Sequence, residues 1–220
     1  MTVRQGARSI QNGSTHTYFD QRHGMDAIRV LPNEYAITRE DVVLTTVLGS
    51  CVAACLRDPV AGVGGLNHFM LPAAGPDVAE AEARSMRYGD YAMDTLLEAL
   101  YRQGARRERI EAKVFGGAML MSGVQGARVG EANSAFILEY LENCGIAVLS
   151  QELKGDCARQ VHYFPVTGRV QLRRLRGGER RMVQQDVLLA NKLAPAMPVA
   201  AVIASSTDSA NRVRNKETAS

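Results

Sequence analysis

A cysteine and a histidine on two predicted neighbouring strands are the residues of this chain best suited to chemistry. Cys51 follows Gly49-Ser50 at the start of one strand, and His68 lies beside Asn67 on the returning strand. Backbone N–H groups in the Gly-Ser turn can stabilise an oxyanion, and an imidazole can hold the thiol as thiolate and later protonate a leaving group. The pattern indicates nucleophilic catalysis. On spacing alone, however, a core cysteine and a structural histidine are the commoner interpretation.

Other reactive side chains are weaker candidates. Cys55 shares the strand face of Cys51 but lies deeper in an apolar run, which favours a role as core filler. Cys157 and His162 form a lone pair of possible metal ligands, and no C-x-x-C motif is present, so neither a metal nor a cofactor is predicted. The remaining histidines are expected to be solvated: His16 and His23. The Gly116-Gly117 pair lacks a phosphate-loop pattern and is interpreted as a tight turn.

Hydrophobic periodicity and turn residues predict the elements that must position these groups. Strands are predicted at residues 42–47, 50–56, 63–71, 110–115, 146–152, 157–164 and 169–175. Helices are predicted at residues 79–103, 131–143 and 184–193. A turn near Asp58 to Gly62 makes the strands of Cys51 and His68 a hairpin. Hairpin-connected strands with two or three helices favour an α+β fold.

Composition predicts one folded domain. The chain has 220 residues, of which 46% are hydrophobic and 22% charged, with four cysteines and a net charge of +3. We expect a flexible leader at residues 1–24, a single domain at 25–194 and a disordered tail at 195–220. No apolar run approaches the roughly 20 residues of a membrane span, and no secretory signal is visible, so a cytoplasmic protein without direct membrane insertion is predicted.

Two arginine-dense stretches, at residues 102–109 and 169–181, are not interleaved with aromatic residues. Acidic residues interrupt both runs, so binding to nucleic acid is not predicted. A solvated face is the ordinary interpretation. A docking surface for an acidic partner is the alternative.

Several longer motifs occur in order over about residues 35–176. They are Thr45-x2-Leu48-Gly49-Ser50-Cys51-Val52, Asp58-Pro59, Gly64-Gly65-x-Asn67-His68-x2-Leu71-Pro72, Arg87-Tyr88-Gly89-Asp90-Tyr91-Ala92-Met93, Lys113-x-Phe115-Gly116-Gly117-Ala118, Gly130-Glu131-x-Asn133 and Thr167-Gly168-x-Val170. Together they resemble the CheD family of chemoreceptor glutamine deamidases. One departure lies before Arg159, where the family usually has an Asp-Leu-Gly-Gly-like step and this chain has Glu152-Leu153-Lys154-Gly155.

The resemblance implies an enzyme that hydrolyses glutamine side-chain amides of methyl-accepting chemoreceptors to glutamate, without a cofactor. It also implies a β-sandwich-like core flanked by helices, similar to bacterial toxin deamidases. The family's catalytic Cys, His and Thr map onto Cys51, His68 and Thr45. In this scheme Gly49, Ser50 and Asn67 stabilise the oxyanion or position the substrate.

Thr45 would accept a hydrogen bond from the second imidazole nitrogen and fix its tautomer. Thr46 is a rival that points to the opposite strand face, and the resemblance selects Thr45. Two other functions remain open: a regulatory partner of a CheC-type response-regulator phosphatase, and a glutamate methylesterase using the same site.

Overall fold

The chain folds into two stacked β-sheets, with helices on the outer face of one of them. The structure is a computed structural model that describes residues 16–119 and 124–175. Within these residues the strands are β1 His16–Asp20, β2 Met25–Arg29, β3 Tyr35–Thr38, β4 Val43–Leu48, β5 Val52–Asp58, β6 Val63–Asn67, β7 Glu111–Gly116, β8 Ala147–Leu153, β9 Arg159–Phe164 and β10 Arg169–Arg174. The helices are α1 Glu80–Ala83, α2 Gly89–Arg102 and α3 Val124–Asn143, with a 3-10 turn at Arg107–Arg109.

Each sheet contains five strands. Sheet 1 has the order β1-β2-β4-β9-β10, and sheet 2 has the order β3-β6-β5-β7-β8. Most neighbouring strands are antiparallel, and the parallel pairs are β2 with β4 and β7 with β8. The predicted α+β fold with hairpin-connected strands is confirmed, including the hairpin of β5 and β6.

Two apolar layers hold the sheets and helices together. One lies between the sheets and receives side chains from both, among them Leu44 and Leu48 of sheet 1 and Cys55 and Leu66 of sheet 2. The other lies between sheet 2 and helices α2 and α3. Strand β5 faces both layers, and six of its seven residues are buried. This explains why its sequence is almost continuously apolar.

Helix α2 follows its predicted apolar stripe but begins later than expected. Its buried positions include Met93, Leu96, Leu97 and Leu100, and the chain leaves the helix at Gly104 with a φ of +84°. A single helix over residues 79–103 is wrong, because α1 ends at Ala83 and α2 starts only at Gly89.

Hydrogen bonds to a distant segment break this helix. The carbonyl of Arg87 accepts the N–H groups of Met70 and Leu71, at 2.9 and 3.0 Å. In return, the Gly89 N–H donates to Leu71 at 2.7 Å. These bonds require an extended backbone around Tyr88, and they outweigh the helical propensity of the segment.

The predicted flexible leader at residues 1–24 is wrong from residue 16 onward. Residues 16–20 form β1, which pairs in full with β2, and the turn between them is closed by the Gly24 N–H donating to the Asp20 carbonyl at 2.8 Å. Strands β2 and β3 were also not predicted. The first fifteen residues, the predicted helix at 184–193 and the predicted tail at 195–220 lie outside the described residues. Among the described residues, no helix is long and apolar enough to cross a membrane.

The buried carboxylate of Asp58 organises the end of the β5–β6 hairpin. Its Oδ1 accepts the N–H groups of Val60 and Ala61, both at 2.9 Å. Its Oδ2 accepts the Arg106 N–H at 2.8 Å and lies 2.7 Å from the Arg109 guanidinium. Arg109 belongs to the first arginine-dense stretch. Its guanidinium is therefore part of the fold and not of a free docking face.

Replacing Asp58 with asparagine should lower the free energy of unfolding by roughly 3 kcal/mol, because it removes one partner of a buried ion pair. Burial alone would raise the pKa of Asp58, but the hydrogen bonds from Ala61, Arg106, Arg109 and Val60 lower it. A lowered folded-state pKa stabilises the protein above the unfolded-state pKa, and this contribution is lost as pH falls toward the folded-state pKa. Urea unfolding should therefore show a smaller difference in the free energy of unfolding between the wild-type protein and Asp58→Asn near pH 3 than at about pH 7.

The matched control is Asp41→Asn, because Asp41 is exposed. Its free energy of unfolding should change by less than about 0.5 kcal/mol at either pH. Equal effects of the two substitutions would contradict the role of Asp58.

Candidate active site

Hydrogen bonds hold the turn at Gly49–Cys51 in place. Its carbonyl oxygens accept them from parts of the chain that are distant in sequence. The donors are the Ala118 N–H to Gly49 at 2.8 Å, Asn133 Nδ2 to Ser50 at 3.0 Å and the Gly117 N–H to Cys51 at 2.8 Å. They come from the segment after β7 and from α3. The turn is therefore held as a rigid unit at the start of β5.

Two glycines allow this close approach. Gly116 and Gly117 have φ values of +121° and +66°. A Cβ atom on Gly116 would collide with the Cys51 carbonyl oxygen, and one on Gly117 would collide with the Ser134 hydroxyl. The interpretation of this pair as a tight, closely packed turn is confirmed.

Cys51 and His68 lie on the same face of sheet 2. Strand β5 and the segment after β6 stay in one antiparallel register, with Cys55 opposite Leu66 and Val52 opposite Phe69. This register places Cys51 opposite Met70 and places His68 two residues further along, on the same face. Diagonal neighbours of this kind are within reach of long side chains. Both residues are fully buried (0% exposed) between the sheets.

A short hydrogen-bond relay fixes the protonation of the imidazole. The Thr46 hydroxyl donates to the Val30 carbonyl at 2.7 Å, and Thr46 Oγ1 lies 2.8 Å from His68 Nδ1. Since the hydroxyl hydrogen is used toward Val30, Nδ1 must carry the proton that it donates to Oγ1. The other ring nitrogen, Nε2, is then left with its lone pair and can act as a base.

Burial keeps this imidazole neutral. Desolvation lowers the pKa of His68 to about 3, against a smaller opposing effect from the Val30 carbonyl. A neutral imidazole with a lone pair on Nε2 is the form that can take a proton from a thiol.

The structure places Thr45, the predicted orienting residue, on the strand face away from His68. Strand β4 alternates, so that Leu44, Thr46 and Leu48 face the layer between the sheets and Thr45 faces the other side. Thr45 lies opposite His162 in the register of β4 and β9. Thr45 and Thr46 both line a cavity of about 410 Å³. Thr46, the rival, takes the position next to His68.

Asn67 is also placed differently from the prediction. Its Oδ1 accepts the Ala54 N–H at 3.0 Å, and its Nδ2 donates to the Ala92 carbonyl at 3.2 Å. The side chain therefore points toward helix α2, on the face opposite His68. It ties β5 and β6 to that helix and does not reach the site.

Two positioning residues were not identified from sequence reasoning. Asn133 is fully buried, and its Nδ2 donates to the carbonyls of both Ser50 and Met70, at 3.0 and 2.9 Å. It thereby joins the nucleophile turn to the strand of His68. Arg159, 2% exposed, donates to the carbonyls of Gly116 and Glu152. Both residues stand in or near motifs of the resemblance, which was the only signal for them.

Cys55 is core filler, as its position in the apolar run predicts. It is 1% exposed, and burial raises the pKa of its thiol. It therefore stays a neutral thiol on the face that also carries Cys51.

Comparison with known proteins gives the family. A family profile described as CheD chemotactic sensory transduction matches residues 70–174. A probable chemoreceptor glutamine deamidase CheD of Cupriavidus pinatubonensis is 51% identical over 175 residues, covering 79% of this chain and 81% of that protein. The chain belongs to the CheD family. The homologue of the same name from Cupriavidus metallidurans is 53% identical over 165 residues, 74% of each chain.

For this CheD-family protein, the relatives extend the match beyond the family profile. The profile begins at residue 70, after Cys51 and His68. An alignment over 175 of the 220 residues must begin before Cys51 and end after His68, so its span includes both residues. A solved structure, a hypothetical protein YfiH of Bacillus licheniformis, has a TM-score of 0.31 and 14% identity, and covers 56% of this chain and 49% of that one. A likeness that weak bears on neither fold nor function.

Replacing Thr46 with alanine should lower kcat/KM for glutamine hydrolysis by about 10- to 100-fold, because Nδ1 loses its buried acceptor. Thr45→Ala is the matched control, one residue away and equally buried at 2%. It should change kcat/KM by less than about threefold, since it does not contact the imidazole. Steady-state kinetics on both variants decides the assignment. A larger loss for Thr45→Ala would return the orienting role to that residue.

Proposed function

We propose that this CheD-family protein hydrolyses the side-chain amides of specific glutamines in methyl-accepting chemoreceptors, giving glutamate and ammonia. Curated relatives at about half sequence identity carry the name chemoreceptor glutamine deamidase. The observation that carries the proposal is the arrangement of Cys51, His68 and Thr46, in which a buried cysteine shares a face with an imidazole whose Nε2 is left as a base.

In the first half of the reaction, His68 Nε2 takes the proton of the Cys51 thiol as Sγ attacks the glutamine carboxamide carbon. Backbone N–H groups of the Gly49–Cys51 turn stabilise the oxyanion, because the carbonyls of that turn are already held in place. The imidazolium then gives its proton to the amide nitrogen. The carbon–nitrogen bond breaks, ammonia leaves, and a thioester with Cys51 remains.

In the second half, water replaces ammonia. His68 Nε2 takes a proton from the water as its oxygen attacks the thioester carbon. The carbon–sulfur bond breaks, the proton returns to Sγ and glutamate is released. Thr46 keeps the ring in one tautomer and orientation through both halves and accepts the Nδ1 hydrogen bond of the transient imidazolium.

The substrate must bring its own side chain into a closed site. Since Cys51 and His68 have no solvent-exposed surface, a glutamine reaches Sγ only when neighbouring atoms move. A closed site of this kind protects the thioester from other nucleophiles and strengthens the hydrogen bonds to the oxyanion. A long glutamine side chain on a protein surface suits such a narrow approach, and a cytoplasmic location follows from a substrate in the cytoplasmic part of the receptor.

The decisive experiment is mass analysis of a chemoreceptor cytoplasmic fragment after incubation with the full chain. Each hydrolysed glutamine exchanges an NH₂ group for an OH group, and peptide mapping locates the site. A mass gain with the wild-type protein but not with Cys51→Ala supports the proposal. No gain at any glutamine overturns it, and retained binding to a CheC-type phosphatase would then favour the regulatory alternative.

The same fragment distinguishes the amide from the ester. A thioester mechanism also accepts a glutamate methyl ester, so a methylated fragment should be tested beside the unmodified one. Faster loss of methyl groups than of amides would reassign the protein as a methylesterase.

A further inference from the structure

A cluster of three possible metal ligands lies on sheet 1, away from the face of Cys51. Asp20 is the last residue of β1, His23 lies in the turn between β1 and β2, and His162 belongs to β9. One donor atom from each residue lies within 4.8 Å of the other two. His23, predicted to be solvated, is instead largely buried, with 8% of its side chain exposed, and the Asp20 side chain is 10% exposed.

Backbone hydrogen bonds hold the carboxylate of Asp20 in place. Its Oδ1 accepts the N–H groups of Arg22 and His23, at 2.9 and 3.2 Å. Its second oxygen, Oδ2, lies 3.0 Å from His23 Nδ1.

The His23 ring is arranged with one nitrogen available for a cation. Its Nε2 lies 2.9 Å from the Gln171 Oε1, which can accept the Nε2 proton when Nδ1 binds a metal ion. The other ring nitrogen, Nδ1, faces the Asp20 carboxylate. Nδ1 is buried, and within the described part of the chain it has no hydrogen-bond partner of suitable geometry. A metal ion bound between this nitrogen and the Asp20 carboxylate would give both groups a partner.

His162 supplies the third donor. Its ring centroid lies 4.9 Å from that of His23, and its side chain is buried on the same face. Imidazole nitrogen is a common zinc ligand.

From this juxtaposition we infer that Asp20, His23 and His162 form a binding site for a divalent transition-metal ion, with Zn²⁺ as the best match. Zinc binds imidazole nitrogen and carboxylate oxygen at about 2.0–2.2 Å, so the three donors need to close in by about half an ångström. Gln171 is the outer partner that fixes the tautomer of the coordinating His23. The fourth ligand position is left for water or for a donor from another molecule.

A metal ion at this site would link the β1–β2 hairpin to β9, an inner strand of sheet 1. Asp20 and His23 lie at the end of β1 and in the β1–β2 turn, and His162 stands opposite Thr45, the neighbour of Thr46. A bound ion therefore fixes the β1–β2 turn on the strand pair that supports the His68 relay. Zinc should raise the thermal unfolding temperature of the full chain, because it binds the folded state only.

The test is calorimetric titration of the chelator-treated full chain with Zn²⁺. The thiols of Cys51 and Cys157 could also bind zinc, so the titration uses the Cys51→Ala, Cys157→Ser protein as background. In this background His23→Gln and His162→Gln should each weaken zinc binding by about 100-fold or more, since the loss of outer partners alone costs about 10- to 100-fold. Both variants should also lose the zinc-dependent rise in unfolding temperature.

The matched control is Gln160→Ala, on the same strand and face as His162 but outside the cluster. It should bind zinc as the background does. If His162→Gln fails to fold, His23→Gln in the surface turn decides the question alone. Absence of zinc binding by the background protein, or unchanged affinity in His23→Gln, overturns the inference.

Discussion

Cys51→Ala should lower kcat for glutamine hydrolysis by roughly 10⁴-fold or more, because it removes the sulfur atom that forms the thioester in the proposed mechanism. The residue has no exposed surface, and three hydrogen bonds hold the turn that carries it. Its contribution is therefore chemical and does not depend on contact with the receptor surface. The binding of the receptor fragment should stay close to that of the wild-type protein.

Cys55→Ala is the matched control. Cys55 is the same residue type, equally buried, four residues further along the same strand, and on the same face. Both alanine variants lose one buried sulfur atom, so their losses of unfolding free energy should be comparable, at about 1–2 kcal/mol. Only Cys51→Ala should lose turnover. Acid quenching during turnover should trap an acyl group on Cys51 of the wild-type protein, and an acyl group on Cys55 would contradict the assignment.

The elements that were predicted correctly are those with local patterns. The β5–β6 hairpin has its turn residues at Asp58 and Gly62, and helix α2 has an apolar stripe of leucines at helical spacing. The antiparallel hairpin alone was enough to bring Cys51 and His68 to one face. The missed features depend on distant partners. Residues 84–88 leave the helical conformation because of backbone bonds to residues 70–72, and β1 exists through its pairing with β2.

The choice between Thr45 and Thr46 shows a different limit. Strand alternation separates the two threonines, but it identifies the core-facing one only when the other face is polar. All six residues of β4 are buried, so the hydrophobic pattern has no polar face. The side on which His68 lies is decided by the stacking of sheet 1 on sheet 2. Asn67 was misplaced for the same reason, since β6 is also buried on both faces.

His68→Gln should lower kcat/KM by about 10²- to 10⁴-fold, because the thiol loses its base and the leaving group loses its acid. Met70→Leu is the matched control: it lies two residues further along the same face, is fully buried, and belongs to the layer between the sheets. A volume-conserving change there costs less than about 1.5 kcal/mol of stability and should leave kcat/KM within a fewfold of the wild-type value. A comparable loss in both variants would mean that packing, and not proton transfer, was disturbed.

The pH dependence gives a second and independent measure of the same residue. Since burial lowers the pKa of His68 to about 3, the active neutral form persists as pH falls and is lost only near that value. The kcat/KM profile reports the free enzyme, so it should show no acid limb near pH 6.5, the ordinary value of histidine. Exposure of the imidazole to water would bring that limb back, because desolvation is the main cause of the shift. An acid limb close to pH 6.5 in the wild-type protein would therefore contradict the buried, neutral base on which the mechanism depends.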